Sequence, residues 1–251
     1  MDKPLMAYNG NHVFHFTLFE AALKIISSNS LKFGSFKNMN DIAEVRREFF
    51  GILPEEKYLE VIEKYQSISL TEDKLKQRGF AIDPLWGHYA QNGNGVCLVF
   101  NKELLEHNLK IQFGDNIAIR PIDYLVNFSN GVFDNETVSS KEIEQFVISH
   151  IEDIFFTKSI DWQYEQEIRI LIKNEKDVFL KFDDATLCAI ILCLPKVDDY
   201  KESNEFKILK ALLPHKPILR YTTMLGDKRL INETGAFMCD KIGFDCEIDL
   251  D

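Results

Sequence analysis

Polar and apolar residues alternate most cleanly along Glu165-Gln166-Glu167-Ile168-Arg169-Ile170-Leu171-Ile172, a run introduced by Trp162-Gln163-Tyr164. A period of two predicts a half-buried strand. On such a strand Glu165, Glu167 and Arg169 share one face, with Cβ atoms about 6–7 Å apart, and Gln166, Ile168, Ile170 and Ile172 take the other. Two carboxylates and a guanidinium at that spacing suit acid–base work or a grip on ribose hydroxyls. They equally suit a plain solvated face whose ion pairs are worth about 0–1 kcal/mol.

The same reading along the chain gives short elements in irregular order. His12 to Thr17 alternates and is aromatic, which predicts a first strand; Thr17 and Glu20 have the spacing of a capping box for the helix that follows. Leu31 to Ser35 reads as a short strand, Asn38 to Asp41 as a turn, and Ile42 to Phe50 as a helix capped by Asp41. A further helix starts at Pro54 and runs to Tyr65, and Ser67 to Leu70 is a brief strand. Asp83 is placed to cap a short helix carrying Trp86 and Tyr89, and Gln91 to Gly95 turns into the apolar strand Val96 to Phe100. Then come a helix near Lys102 to His107, a strand-like segment from Ile117 to Tyr124, a loop from Asn127 to Thr137, and an amphipathic helix from Ser139 to Phe156. Strands over Val178 to Leu180, Leu187 to Leu194 and Ile218 to Thr222 surround a helix from Glu202 to Leu213. About nine strands and five or six helices without a regular βαβ alternation predict an α+β fold. Its sheet is expected to be mixed and largely antiparallel, with flanking helices. No repeat or linker marks a boundary, so the chain reads as one domain.

Composition narrows the classes. A net charge of −11 over 251 residues argues against a general nucleic-acid binder or an anionic-membrane binder, whose footprint is basic. No apolar run reaches the ~18 residues needed to cross a bilayer, and the N-terminus opens no secretory leader. The five cysteines (97, 188, 193, 239 and 246) form no CxxC pair and fit a disulfide framework poorly. Together these point to a reducing cytoplasm. A zinc site from Cys239, Cys246 and a histidine is the weakest of the metal readings, and no metal is expected. His12 and His15 are three apart on a strand and so point to opposite faces.

Several short motifs occur in a fixed order: His15-Phe16-Thr17, Asn40-Asp41-Ile42-Ala43-Glu44, Ser67-Ile68-Ser69, Trp86-Gly87-His88-Tyr89-Ala90, Gly95-Val96-Cys97-Leu98-Val99-Phe100, Tyr124, Lys158, and Trp162 to Arg169. In that order they resemble the bacterial domain family of unknown function 2971. The resemblance covers about residues 12–195 and leaves 196–251 as an extension. Ile42 stands where the family usually has proline, and Leu85 where it often has methionine.

A looser resemblance is to the ADP-ribosyltransferases. They carry a His-x-Thr or Arg on an early strand, a Ser or Tyr later, and a Glu, often ExE, on a late strand. His15-x-Thr17, Tyr89 and Glu165-x-Glu167 follow that layout. The resemblance implies an NAD-consuming enzyme of the kind found among toxins and phage-defence effectors. Glu167 would stabilise the cation left on the ribose, Glu165 would face the acceptor nucleophile, and Tyr89 would stack on nicotinamide. His15, Thr17, Trp86, Lys158 and Arg169 would hold the cofactor. A preorganised carboxylate of that kind is worth about 10²–10³ in rate. Two other classes stay open. One is a ligand- or partner-binding sensor domain using Trp86, Tyr89 and Trp162. The other is a metal-dependent nuclease using Asp41, Glu44, Glu165 and Glu167.

Overall fold

A computed structural model describes residues 11–36, 55–74, 77–126, 139–224, 227–233 and 237–239. In chain order its elements are β1 (His12–Thr17), α1 (Phe19–Ser28), β2 (Ser30–Lys32), β3 (Gly34–Ser35), α2 (Glu55–Ile62), β4 (Tyr65–Glu72), α3 (Asp83–His88), β5 (Val96–Asn101), α4 (Lys102–Phe113), β6 (Ile117–Pro121) and β7 (Asp123–Leu125). They continue with α5 (Ser140–Ser149), α6 (Ile151–Phe155), β8 (Thr157–Ser159), β9 (Glu167–Lys173), β10 (Phe179–Lys181), β11 (Leu187–Leu192), α7 (Asn204–Leu212), β12 (Ile218–Met224), β13 (Asp227–Ile231) and β14 (Phe237–Cys239). The fold is α+β with a large, mostly antiparallel sheet and flanking helices, as the irregular element order predicts. Among the described residues no helix is long and apolar enough to cross a membrane.

The chain forms two compact units. Of the described residues, unit 1 holds those within 1–30, 70–111 and 181–251, and unit 2 those within 31–69 and 112–180. In unit 1, β5 pairs antiparallel with β1 and with β11, and β11 pairs parallel with β12. Val96 to Phe100 are fully buried, which explains why this strand reads as an unbroken apolar run rather than an alternation. Gly95 opens the strand because nothing larger fits: a Cβ there would lie 2.4 Å from the Thr17 carbonyl oxygen and 2.7 Å from Ala90 Cα. In unit 2, α2, α5 and α6 supply Tyr58, Val61, Ile143, Val147, Ile154 and Phe155 to one buried cluster, which Leu171 of β9 joins. On its other side β9 pairs antiparallel with β6, Pro121 lying opposite Ile168.

Several local expectations change. Helix α1 is preceded by Leu18, with no side-chain cap, so Thr17 and Glu20 form no capping box. Asp83 is the first residue of α3 rather than its cap. The helix expected over Ser139 to Phe156 breaks at His150 into α5 and α6, and a true capping box joins Ser139 to Glu142. Strands β13 and β14 carry the chain beyond the last predicted strand. The turn at Asn38 to Asp41, the helix over Ile42 to Phe50 and the loop from Asn127 to Thr137 lie outside the described residues.

Candidate functional site

The long alternating run is not one strand. Residues Ile160–Glu165 form a 3₁₀ turn, Gln166 takes a left-handed conformation (φ 49°, ψ 43°), and β9 starts only at Glu167. A left-handed backbone costs a non-glycine residue about 1–2 kcal/mol, so the surroundings must hold Gln166 there. The turn begins at Ser159, whose Oγ accepts the Asp161 N–H, and Ser159 ends β8, the strand that carries Lys158.

That kink brings both glutamates to one ammonium. Lys158 Nζ donates to Glu165 Oε2 at 2.8 Å and lies 2.7 Å from Glu167 Oε2. Arg169 completes the group from the same face of β9. Its Nε and Nη2 donate to the two oxygens of Glu167 at 2.7 and 3.1 Å, and its Nη1 donates to the Phe155 carbonyl at 2.5 Å. The guanidinium carbon sits 5.5 Å from the Phe36 ring centre. Arg169 has no exposure at all, and Lys158, Glu165 and Glu167 are 4–5 % exposed. The expectation of a solvated ion ladder is therefore corrected. The odd-numbered face of β9 lies against Phe36 and Phe155 of the unit 2 core, not against water. Bidentate, charge-assisted bonds are what make so much buried charge tolerable.

The electrostatics follow from the partners. Burial alone pushes the Glu167 carboxyl up, but the Arg169 guanidinium and the Lys158 ammonium more than cancel it and hold it down at about 2. The Tyr124 phenol accepts the Glu167 backbone N–H at 2.9 Å. Burial, and after it the two glutamates, raise its pKa far above the usual phenol value. Trp162 and Tyr164, both half-buried, flank the cluster on the 3₁₀ turn. The Lys158 ammonium is 5.8 Å from the Trp162 ring centre, and burial followed by Glu165 raises the Tyr164 phenol.

Of the eight site residues expected from sequence, the structure thus brings four together: Lys158, Glu165, Glu167 and Arg169. The other four belong to unit 1. His15 and Thr17 are half-buried on β1, opposite Leu98 and Val96 of β5. Trp86 is buried in a core position. Its indole nitrogen donates to the Phe80 carbonyl at 2.8 Å, its ring stacks on Tyr221 at 5.5 Å, and Phe16 meets it edge-on. Tyr89 is half-buried just past the end of α3.

Tyr124 belongs to the cluster although its residue type and neighbours in sequence give no functional signal; only its place in the ordered motif set singles it out. Asp41 and Glu44 lie outside the described residues, as do Cys246 and the side chain of Cys239. Among the described residues no group of three or more His, Cys, Asp or Glu side chains is placed to hold a metal ion.

No curated protein matches the chain. Residues 85–170 match a family model described as "Protein of unknown function (DUF2971)". The resemblance carried by the Trp86-to-Ala90, Gly95-to-Phe100 and Trp162-to-Arg169 motifs is thus found again over about a third of the chain, the part that contains the whole buried ion cluster.

Proposed function

We propose that this protein consumes NAD, breaking the bond between nicotinamide and ribose and passing ADP-ribose to water or to a macromolecular acceptor, as a toxin or phage-defence effector would. The observation that supports this is the convergence of Glu165 and Glu167 on Lys158, with Glu167 ionised at every physiological pH. When the C1′–nitrogen bond breaks, its electron pair leaves with neutral nicotinamide and positive charge develops on C1′. A fixed carboxylate stabilises that charge without having to reorganise. The incoming oxygen then bonds C1′ and gives up its proton, and Glu165 is the carboxylate assigned to accept it.

The test is nicotinamide release from NAD by the purified chain, followed by chromatography. Glu165→Gln should cut the rate about 10²–10³-fold, measured at temperatures where the variant, having lost its buried ion pair with Lys158, is still folded. Wild-type protein that releases no nicotinamide sinks the proposal.

A second reading has an observation of its own. The two cations and two anions of the cluster sum to zero charge, and Arg169 and Lys158 already offset Glu167. A carboxylate already compensated in this way suits a sensor domain that binds a ligand or partner without turning it over. Thermal stabilisation by NAD with no nicotinamide released would favour it.

A further inference from the structure

The chain from Ile117 to Leu125 changes partners halfway along. Up to Pro121 it pairs antiparallel with β9; from Asp123 it pairs parallel with β8, Tyr124 lying opposite Lys158. The change falls at Ile122, beside the first residue of β9. Proline has no N–H to offer a ladder, so Pro121 is a natural place for one pairing to stop.

At the crossover, the Glu167 backbone is held on both sides by one three-residue segment. Its carbonyl accepts the Ile122 N–H at 2.9 Å, and its own N–H donates to the Tyr124 phenol oxygen at 2.9 Å. The Asp123 N–H donates to the Phe156 carbonyl at 2.8 Å and ties the same segment to the approach to β8. Glu167 follows the left-handed Gln166, and its amide goes to a side-chain oxygen rather than to a main-chain carbonyl.

We infer that Tyr124 is the positioning residue of the Lys158/Glu165/Glu167/Arg169 cluster: by accepting the Glu167 N–H it fixes where the Glu167 carboxylate meets Lys158 and Arg169. A side-chain acceptor here both satisfies the amide and lies beside Glu165, Glu167 and Lys158. The phenol, kept protonated by burial and by the nearby glutamates, does both without adding a charge to the group. Lys158 and Tyr124 are cross-strand partners, so one parallel pairing sets the height of the ammonium and of the phenol together.

The inference deepens the NAD reading but does not depend on it for its test. Tyr124→Phe keeps the ring and removes only the oxygen. The ¹³C-carboxyl titration of Glu167 followed by NMR should then move its midpoint up from about 2 by about one pH unit or more, as the fit to Arg169 and Lys158 loosens. Val147→Ala, in the buried core of unit 2, serves as a control that lowers stability without touching the amide, and should leave the midpoint in place. In turnover of NAD, Tyr124→Phe should lower kcat about tenfold to a hundredfold with KM nearly unchanged. A midpoint that stays put in Tyr124→Phe, or moves equally in Val147→Ala, overturns the positioning role. Wild-type protein that releases no nicotinamide overturns the NAD reading alone, and the titration still decides for Tyr124.

Discussion

Each unit buries an arginine–carboxylate pair, and the two pairs are built differently. In unit 1, Asp73 Oδ2 accepts Arg78 Nε at 2.9 Å and Oδ1 accepts the Gly79 N–H at 2.8 Å. The partners are five residues apart, and both side chains are at most 4 % exposed. Gly79 is required there, because a Cβ would lie 2.4 Å from the Phe14 ring. This is a local staple, in which one anion meets one cation and a neighbouring backbone amide takes the remaining oxygen. In unit 2, Glu167 and Arg169 form a comparable pair, but a second carboxylate and an ammonium are buried beside it. The chain reaches that state through a left-handed residue and a borrowed phenol. Buried ion pairs contribute little net stability relative to apolar packing. The staple needs no more than loop closure to account for it; the extra Lys158–Glu165 pair does, and ligand chemistry is the account proposed here.

The largest effect should come from cutting the cluster. Arg169→Met leaves Glu167 buried with half its compensation and the Phe155 carbonyl without its donor. It should cost about 3–5 kcal/mol, read by urea denaturation. Asp73→Asn should cost about 3 kcal/mol by taking the carboxylate from the buried Arg78, yet leave the proposed NAD turnover unchanged at temperatures where the variant is folded. If Asp73→Asn removes turnover too, the two pairs do not differ in kind. Next comes acid. The carboxyl of Glu167 is held near 2 in the folded chain against an ordinary 4.5, so the stability it contributes is fully present above about pH 4.5 and is lost as pH falls toward 2. The loss should be on the order of 3 kcal/mol and absent from Glu167→Gln, as seen in denaturation midpoints across that range.

The smallest effect belongs to unit 1. Burial, only partly offset by Asp73 and with Arg78 adding to it, lowers the pKa of His12 below 6.5. The folded chain therefore binds this proton less readily than the unfolded one, and stability should begin to fall as pH drops below about 6.5. His12→Gln should flatten the fall in stability that begins below about pH 6.5 and leave the more acidic one, so the two regions would titrate in separate windows.

Strand β5 was legible because a buried strand is apolar throughout and Gly95 punctuates its start; β1 was legible from its alternation. The ion cluster was half legible. Alternation correctly put Glu167 and Arg169 on one face, but it extended the strand back through Glu165, where a 3₁₀ turn stands. It also assigned that face to water, since charged residues ordinarily face solvent. Trp86 drew a cofactor role only from the transferase resemblance; an aromatic on a short helix is more often a core anchor, and packing against Tyr221 and Phe16 makes it one. Tyr124 gave no local signal, because a phenol's role here is to receive an amide 43 residues away.

Residue order by itself determined the α+β class, the principal strands, and the presence of two carboxylates and a guanidinium within five positions. Burial of those charges, the left-handed Gln166 and the grip of Tyr124 were decided only in three dimensions. A period of two records which way side chains point; whether that side meets water or a wall of Phe36 and Phe155 depends on segments far along the chain.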